Sequence, residues 1–158
     1  MLNMKNSIIL ITCISILSLM FLFSFKSIES EDERAIKELI ETSYVNGAFN
    51  DLNPDAMEAA FHPDFAIFSA KGEDLARYEI ADWVKSVRKR KADPEFNPEN
   101  NVWEHKFGFI DVTGQAASLK LEYHRKGKLV YTDYISLLKY DTGWKIVAKV
   151  YEHHTKNK

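Results

Sequence analysis

The chain has 158 residues, of which 46% are hydrophobic and 28% are charged, and this length and composition suit one globular domain. Its formal net charge is −2, so it lacks the basic surface that phosphate-backbone binding requires, and no nucleic-acid partner is expected. Its single cysteine, Cys13, excludes an intramolecular disulfide.

The first 27 residues form a segment of their own. Lys5 precedes an uncharged apolar run at residues 8–25, and Lys26 follows it. A basic start followed by an apolar stretch is typical of a secretory signal peptide, but the run is also near the lower length limit of a membrane-spanning helix. We therefore expect residues 1–27 to be a cleaved signal peptide or a membrane anchor. The protein would then be exported to the periplasm or the medium, or held at a membrane only through residues 8–25.

Three helices are predicted in the first part of the remaining chain. The first opens at Ser30, which forms a capping box with Glu33, and its apolar residues recur at helical spacing to about Gly47. A second, short helix opens at Pro54, because proline is favoured at the first helical position. The third covers about residues 79–91 and carries an apolar stripe on one side.

The second half of the chain is predicted to be a sheet. A short strand at residues 65–69 and a return strand at 75–78 precede the third helix. After residue 101 the hydrophobic period changes to two, which predicts four long strands at 102–112, 115–124, 129–140 and 144–151. Their connectors are short and contain glycine, so they impose an antiparallel meander. Helices followed by a meander predict an α+β fold.

Four stretches of the sequence resemble the nuclear transport factor 2-like (NTF2-like) superfamily, including its SnoaL-like proteins, and more narrowly the putative lumazine-binding family. They are residues 35–47, 57–65, 80–84 and 133–150, within a domain of residues 28–158. The resemblance implies a cone-shaped α+β domain in which three N-terminal helices pack on a curved antiparallel sheet around an apolar cavity. It also implies a homodimer formed through the sheet. Superfamily relatives include isomerases, dehydratases and non-catalytic pocket domains, so the fold alone does not give the chemistry.

Several strands carry apolar residues on both faces, as in residues 102–112. The outer face therefore needs a cover, and a second copy of the chain is the most economical one. We expect the cavity to suit a small apolar or aromatic ligand. No phosphate loop and no metal-ligand spacing occurs in the sequence, so neither a cofactor nor a metal is expected. The residues expected to line the pocket are Tyr44, Phe61, His62, Phe65, Trp83, Tyr123 and Asp133.

Three residues are candidates for acid–base catalysis. If His105 and Asp133 both point into the cone, the carboxylate would orient the imidazole and raise its basicity. Tyr44 could then donate to a developing oxyanion. The assignment depends on strand parity, since a slip of one residue inverts the face of every side chain. His62 could also act as a base, but a structural role at the turn after the second helix is favoured.

Three functions remain open from the sequence. The favoured one is a non-catalytic small-molecule-binding or accessory domain, exported and dimeric, because the chain is rich in aromatic residues and has no dedicated catalytic motif. The second is a cofactor-independent enzyme of the isomerase or dehydratase type that uses His105, Asp133 and a tyrosine. The third is a dimerisation module held at a membrane by residues 8–25.

Overall fold

The computed structural model describes residues 29–155. Helix α1 comprises Glu31–Leu39 and continues directly into a π-helical segment, Ile40–Asn50. Helix α2 is Pro54–Ala60 and helix α3 is Ile80–Lys91, followed by a 3₁₀ turn at Pro98–Asn100. The expected signal peptide or membrane anchor lies outside the described residues. Across residues 29–155, every helix is too short or too polar to cross a membrane.

Six strands form one sheet in the order β2-β1-β6-β5-β4-β3. The long strands β3 to β6 form the predicted antiparallel meander. β1 pairs antiparallel with β2 but parallel with β6, so the sheet is mixed rather than wholly antiparallel. The difference arises because β1 and β6 are distant in the chain, and no tight turn dictates their relative direction. The strands are β1 Phe61–Lys71, β2 Asp74–Glu79, β3 Glu104–Thr113, β4 Ala116–Arg125, β5 Lys128–Tyr140 and β6 Gly143–His153.

The α+β fold of three helices packed on one sheet is confirmed. Register shifts interrupt four of the five strand pairings, and such bulges bend strands and increase their twist. One of them skips Gly108 in β3, and another skips Val147 in β6. Each shift changes which face the following residues occupy, and the shift at Val147 determines the direction of a residue in the candidate site.

The inner face of the sheet packs on the helices and forms the core. In β4 the alternate residues Ala117, Leu119, Leu121 and Tyr123 are buried. Asp133 in β5 lies opposite Leu121, and residues opposed across neighbouring strands share a face. Asp133 therefore points inward, toward the helices, and it is completely buried.

The outer face carries a row of exposed side chains across the centre of the sheet. Tyr134 of β5 lies opposite Val150 of β6 on one side and Lys120 of β4 on the other. Phe109 of β3 continues the row beyond Lys120. Phe109, Tyr134 and Val150 are 45–49% exposed, so the row is an apolar patch with one lysine in it.

Ser30 caps helix α1 as the sequence predicts. Its Oγ accepts a hydrogen bond from the Glu33 N–H at 3.1 Å, and the Glu33 carboxylate accepts one from the Ser30 N–H at 2.7 Å. We expect Ser30→Ala to lower the free energy of unfolding by about 1 kcal/mol, because one orphan N–H of the first turn loses its partner. Urea denaturation measures this. Ser86→Ala, at an exposed position inside α3, is the matched control, and an equal effect of both variants would contradict the prediction.

Candidate functional site

A cavity of about 400 Å³ lies on the inner face of the sheet beside β1, β2 and β6. This volume is within the range of small-molecule sites in proteins. Five of the ten lining residues are aromatic, and they come from the π-helical segment, from α3 and from three strands. The lining residues are Phe49, Ile67, Ser69, Ala76, Arg77, Tyr78, Trp83, Tyr131, Lys149 and Tyr151.

Lys149 connects the cavity to a buried polar cluster. Its Nζ lies 2.8 Å from the Tyr44 hydroxyl oxygen and 3.4 Å from Asp133 Oδ2. The Tyr44 hydroxyl donates a hydrogen bond to the same carboxylate oxygen. Tyr44 and Asp133 are completely buried, and Lys149 is 5% exposed. We call Tyr44, Asp133 and Lys149 the lysine cluster.

Burial determines the protonation of the lysine cluster. Desolvation lowers the pKa of Lys149, because an ammonium loses its hydration there, while the Asp133 carboxylate partly opposes this effect. Desolvation also raises the pKa of Tyr44 well above its usual value, and the negative charge of Asp133 adds to the rise. Tyr44 therefore keeps its proton, and its hydroxyl donates to Asp133 while it accepts from Lys149.

Aromatic rings surround the amine of Lys149. Its Nζ lies 4.9 Å from the ring centroid of Tyr151, 5.2 Å from that of Trp83 and 5.4 Å from that of Tyr44. Rings at this distance stabilise a cation through their quadrupoles. Because Tyr151 and Trp83 also line the cavity, the amine lies at the boundary between the cavity and the lysine cluster.

The structure brings Tyr44 and Asp133 together with Lys149 rather than with His105. His105 is on the inner face, opposite Tyr123, but its Nε2 lies 3.8 Å from a carboxylate oxygen of Glu41. No hydrogen bond between His105 and Asp133 occurs among the described residues. The expected pairing of imidazole and carboxylate is therefore not formed, because β3 is the edge strand and β4 separates it from β5.

The other expected pocket residues divide between the cavity wall and the core behind it. Trp83 lines the cavity directly. Phe61 and Phe65 are buried in the core, with ring centroids 5.6 Å and 6.2 Å from that of Trp83. Tyr123 is buried and stacks on Phe49 at 4.4 Å, and its hydroxyl has no hydrogen-bond partner among the described residues.

His62 does not line the cavity. Its Nδ1 accepts a hydrogen bond from the Asp64 N–H at 3.1 Å, and its ring stacks on Tyr140 at 5.5 Å. These contacts fix the backbone just after α2. Within residues 29–155, no group of three or more histidine, cysteine, aspartate or glutamate side chains is arranged to hold a metal ion.

Lys149 is the functional candidate that sequence reasoning missed. Strict alternation from the buried Ile146 would place Lys149 on the outer face, where a lysine is ordinary. The structure skips Val147 in the pairing with β5, so Ile146 and Lys149 both point inward. The only available sequence signal was a lysine within an apolar strand, between Ala148 and Val150, and that pattern is common on sheet surfaces.

The family model described as Putative lumazine-binding matches residues 31–152. The chain therefore belongs to this family. No curated protein matched the sequence.

Three solved structures that are similar to this chain are NTF2-like proteins described as being of unknown function. The one from Methylobacillus flagellatus KT is 27% identical, with a TM-score of 0.61 over 82% of this chain and 97% of that chain. The one from Shewanella baltica OS155 is 25% identical, with a TM-score of 0.61 over 78% and 94%. The one from Silicibacter pomeroyi DSS-3 is 21% identical, with a TM-score of 0.58 over 77% and 94%. These similarities agree on the NTF2-like fold.

Proposed function

We propose that this protein is an exported, non-catalytic small-molecule-binding protein whose ligand occupies the cavity beside Lys149. The observation that carries the proposal is the combination of a cavity of about 400 Å³, five aromatic lining residues and one buried amine at its wall. Binding sites of this kind are mostly apolar, with a few polar groups that orient the ligand. The ligand is a small and largely apolar or aromatic molecule.

The lysine cluster defines the polar end of that ligand. A lysine ammonium has three N–H donors, and Tyr44 and Asp133 accept two of them. One donor therefore remains for a ligand. A hydrogen-bond acceptor, such as a carbonyl or carboxylate oxygen, would complete the set, while the aromatic walls would bury the rest of the molecule.

Native mass spectrometry of protein purified from its own host tests the proposal directly, because a ligand retained in the cavity would be detected by mass.

A fluorescence titration is the second test. With 2-naphthoate as a probe, we expect saturable quenching of tryptophan fluorescence. Trp83→Ala should weaken binding by about 10- to 100-fold, since it removes 1.5–3 kcal/mol of apolar burial. Lys145→Met is the control, because Lys145 does not line the cavity and its amine donates a hydrogen bond to the Ala59 carbonyl. Absence of both a retained compound and saturable probe binding would contradict the proposal.

A second candidate function is a cofactor-independent enzyme of the isomerase or dehydratase type. The observation that favours it is the amine of Lys149, held at the cavity wall with a lowered pKa. A neutral amine there could accept a proton from a substrate carbon. Lys149, rather than the predicted His105, would then be the general base, because His105 lies beside Glu41 and not beside Asp133. Conversion of 3-cyclohexenone to its conjugated isomer, followed by NMR in wild type and Lys149→Met, tests this candidate.

We also propose that two copies of the chain pair through the outer face of the sheet. The support is the apolar row formed by Phe109, Tyr134 and Val150, since contiguous exposed apolar surface marks interaction sites. We expect light scattering to give a dimer for the wild type and a monomer for Tyr134→Glu. Lys126→Glu, in the β4–β5 turn, is the control. A monomeric wild type would contradict the pairing and also the alternative of a membrane-held dimerisation module.

Export through residues 1–27 is part of the same proposal. N-terminal sequencing and the mass of the protein recovered outside the cytoplasm distinguish a cleaved signal peptide from an anchor. A cut near residue 27 supports cleavage and release. Retention of residues 8–25 in a membrane fraction supports the anchored form.

A further inference from the structure

We infer that Lys149 is a covalent capture site for carbonyl compounds, and that its amine condenses with an aldehyde or ketone in the cavity to form an imine. The inference rests on the proposed function, because the carbonyl compound must occupy the same cavity. It adds a substrate class and a chemical step to that function.

The position of the amine provides the first argument. Nζ lies within 5.2 Å of the ring centroids of Tyr151 and Trp83, and both residues line the cavity together with Lys149. Imine formation requires a neutral amine, and a lysine held in an apolar site is activated as a nucleophile in this way. Lys149 forms an ion pair with Asp133, but burial lowers its pKa, so a larger fraction of its amine is neutral than in an exposed lysine.

The hydrogen bonds of the amine provide the second argument. A neutral amine has two N–H donors and one lone pair. The hydroxyl of Tyr44 and the carboxylate of Asp133 accept both donors, so the amine is oriented while its lone pair stays available for attack. Neither Tyr44 nor Asp133 lines the cavity, and both are therefore positioning residues.

The buried carboxylate completes the proton balance of the reaction. The lysine nitrogen forms a bond to the carbonyl carbon, the C=O π bond opens, and one proton of the nitrogen moves to the oxygen. The second proton of the nitrogen then moves to the hydroxyl as the C–O bond breaks and the C=N bond forms, so amine and carbonyl become imine and water without an oxidant or reductant. Asp133 Oδ1 has no partner among the described residues, so it is free to accept a hydrogen bond during these proton transfers. When the imine is protonated, the adjacent carboxylate is its counter-ion.

Reductive trapping tests the inference. The purified protein is incubated with 2-naphthaldehyde and sodium cyanoborohydride near pH 7, and the adduct is located by intact mass and peptide mapping. We expect one added group, on Lys149, formed several-fold faster than on exposed lysines, since burial leaves a larger fraction of its amine neutral and only the neutral amine attacks the carbonyl. Lys149→Arg should remove this fast adduct, and Lys145→Arg should keep it. Labelling spread evenly over the exposed lysines would overturn the inference.

A non-covalent probe separates failure of this inference from failure of the proposed function. 2-Methylnaphthalene has the same rings without the carbonyl. Saturable binding of 2-methylnaphthalene without trapping of the aldehyde at Lys149 would overturn imine formation and leave the binding function intact. Lack of binding by both probes would overturn both. Because the adduct is mapped in the wild type, the test does not depend on the folding of any variant.

The roles of the positioning residues have their own readout. The Asp133 carboxylate raises the pKa of Lys149 against the effect of burial. Asp133→Asn should therefore shift the midpoint of the labelling rate against pH to lower pH. Tyr44→Phe should slow labelling while the midpoint stays closer to that of the wild type. An unchanged midpoint in folded Asp133→Asn would show that Asp133 does not act on the amine.

Discussion

Lys149→Met is expected to lower the free energy of unfolding by about 3–5 kcal/mol, because removing one partner of a buried ion pair leaves the other charge uncompensated. Asp133 is completely buried, and its Oδ1 has no partner among the described residues. Among residues 29–155, the variant would leave the Tyr44 hydroxyl as the single hydrogen-bond donor to this carboxylate. Urea denaturation at pH 7, with the slope of the transition checked for two-state behaviour, measures the loss.

The double variant Asp133→Leu with Lys149→Met separates the charge effect from the packing effect. Replacing both members of a buried ion pair by apolar residues is often nearly neutral. We therefore expect the double variant to be clearly more stable than Lys149→Met alone, with a coupling of up to about 3 kcal/mol. Lys145→Met is the matched surface control. A loss below about 1 kcal/mol in Lys149→Met would indicate that the lysine cluster does not contain a buried charge pair.

Above about pH 10.5, the protein is expected to lose stability at up to about 2.7 kcal/mol per pH unit, as two buried tyrosines each contribute about 1.36 kcal/mol. Burial raises the pKa values of Tyr44 and Tyr123 well above the usual 10.0. The unfolded chain ionises these groups near pH 10 and the folded protein does not. Their stabilising effect is therefore fully present below pH 10 and is lost as the pH rises further.

Lys149 contributes to the dependence of stability on pH with the opposite sign to the tyrosines. Its folded-state pKa lies below the usual 10.5, so the unfolded state binds more protons between the two values and stability rises with pH in that window. This rise ends near pH 10.5, and the decline caused by the tyrosines is then unopposed. Denaturation midpoints in urea between pH 9 and pH 12 give both slopes.

Tyr123→Phe tests the tyrosine contribution. It should halve the alkaline slope, and at pH 7 it should leave stability unchanged or raise it by about 1 kcal/mol, because the buried hydroxyl has no partner among the described residues. Tyr134→Phe, which removes a hydroxyl from the exposed outer face, is the matched control. A Tyr123→Phe variant with the full wild-type slope would contradict the assignment.

Local signals predicted much of the fold. The capping box of Ser30 with Glu33 and the glycine-containing turns of the meander act within a few residues, and the structure forms them as expected. The parallel pairing of β1 with β6 joins distant parts of the chain, so no local turn could reveal it. The sequence therefore predicted the positions of the strands better than the pairing of strands that are distant in the chain.

The candidate site was less predictable because it depends on side-chain direction. Asp133 follows regular alternation within β5, and its inward face agrees with the pattern of its neighbours. Lys149 follows a skipped residue, Val147, and strict alternation puts it on the wrong side. His105 does face inward, but it lies on the edge strand beside Glu41. The contact of His105 with Glu41 joins β3 to the π-helical segment, and no local sequence signal indicates a contact between such distant residues.

The π-helical segment Ile40–Asn50 has a consequence for how relatives of this chain diverge. At its end the Asp51 N–H donates to the Asn46 carbonyl, five residues back, at 2.9 Å. Loss of one residue before Tyr44 would turn its side chain by roughly a quarter of a turn around the helix axis and away from Asp133. A single codon deletion in this segment would therefore redirect Tyr44 over an unchanged sheet. Descendants of one ancestor could acquire different ligands through such a length change while they keep the same fold.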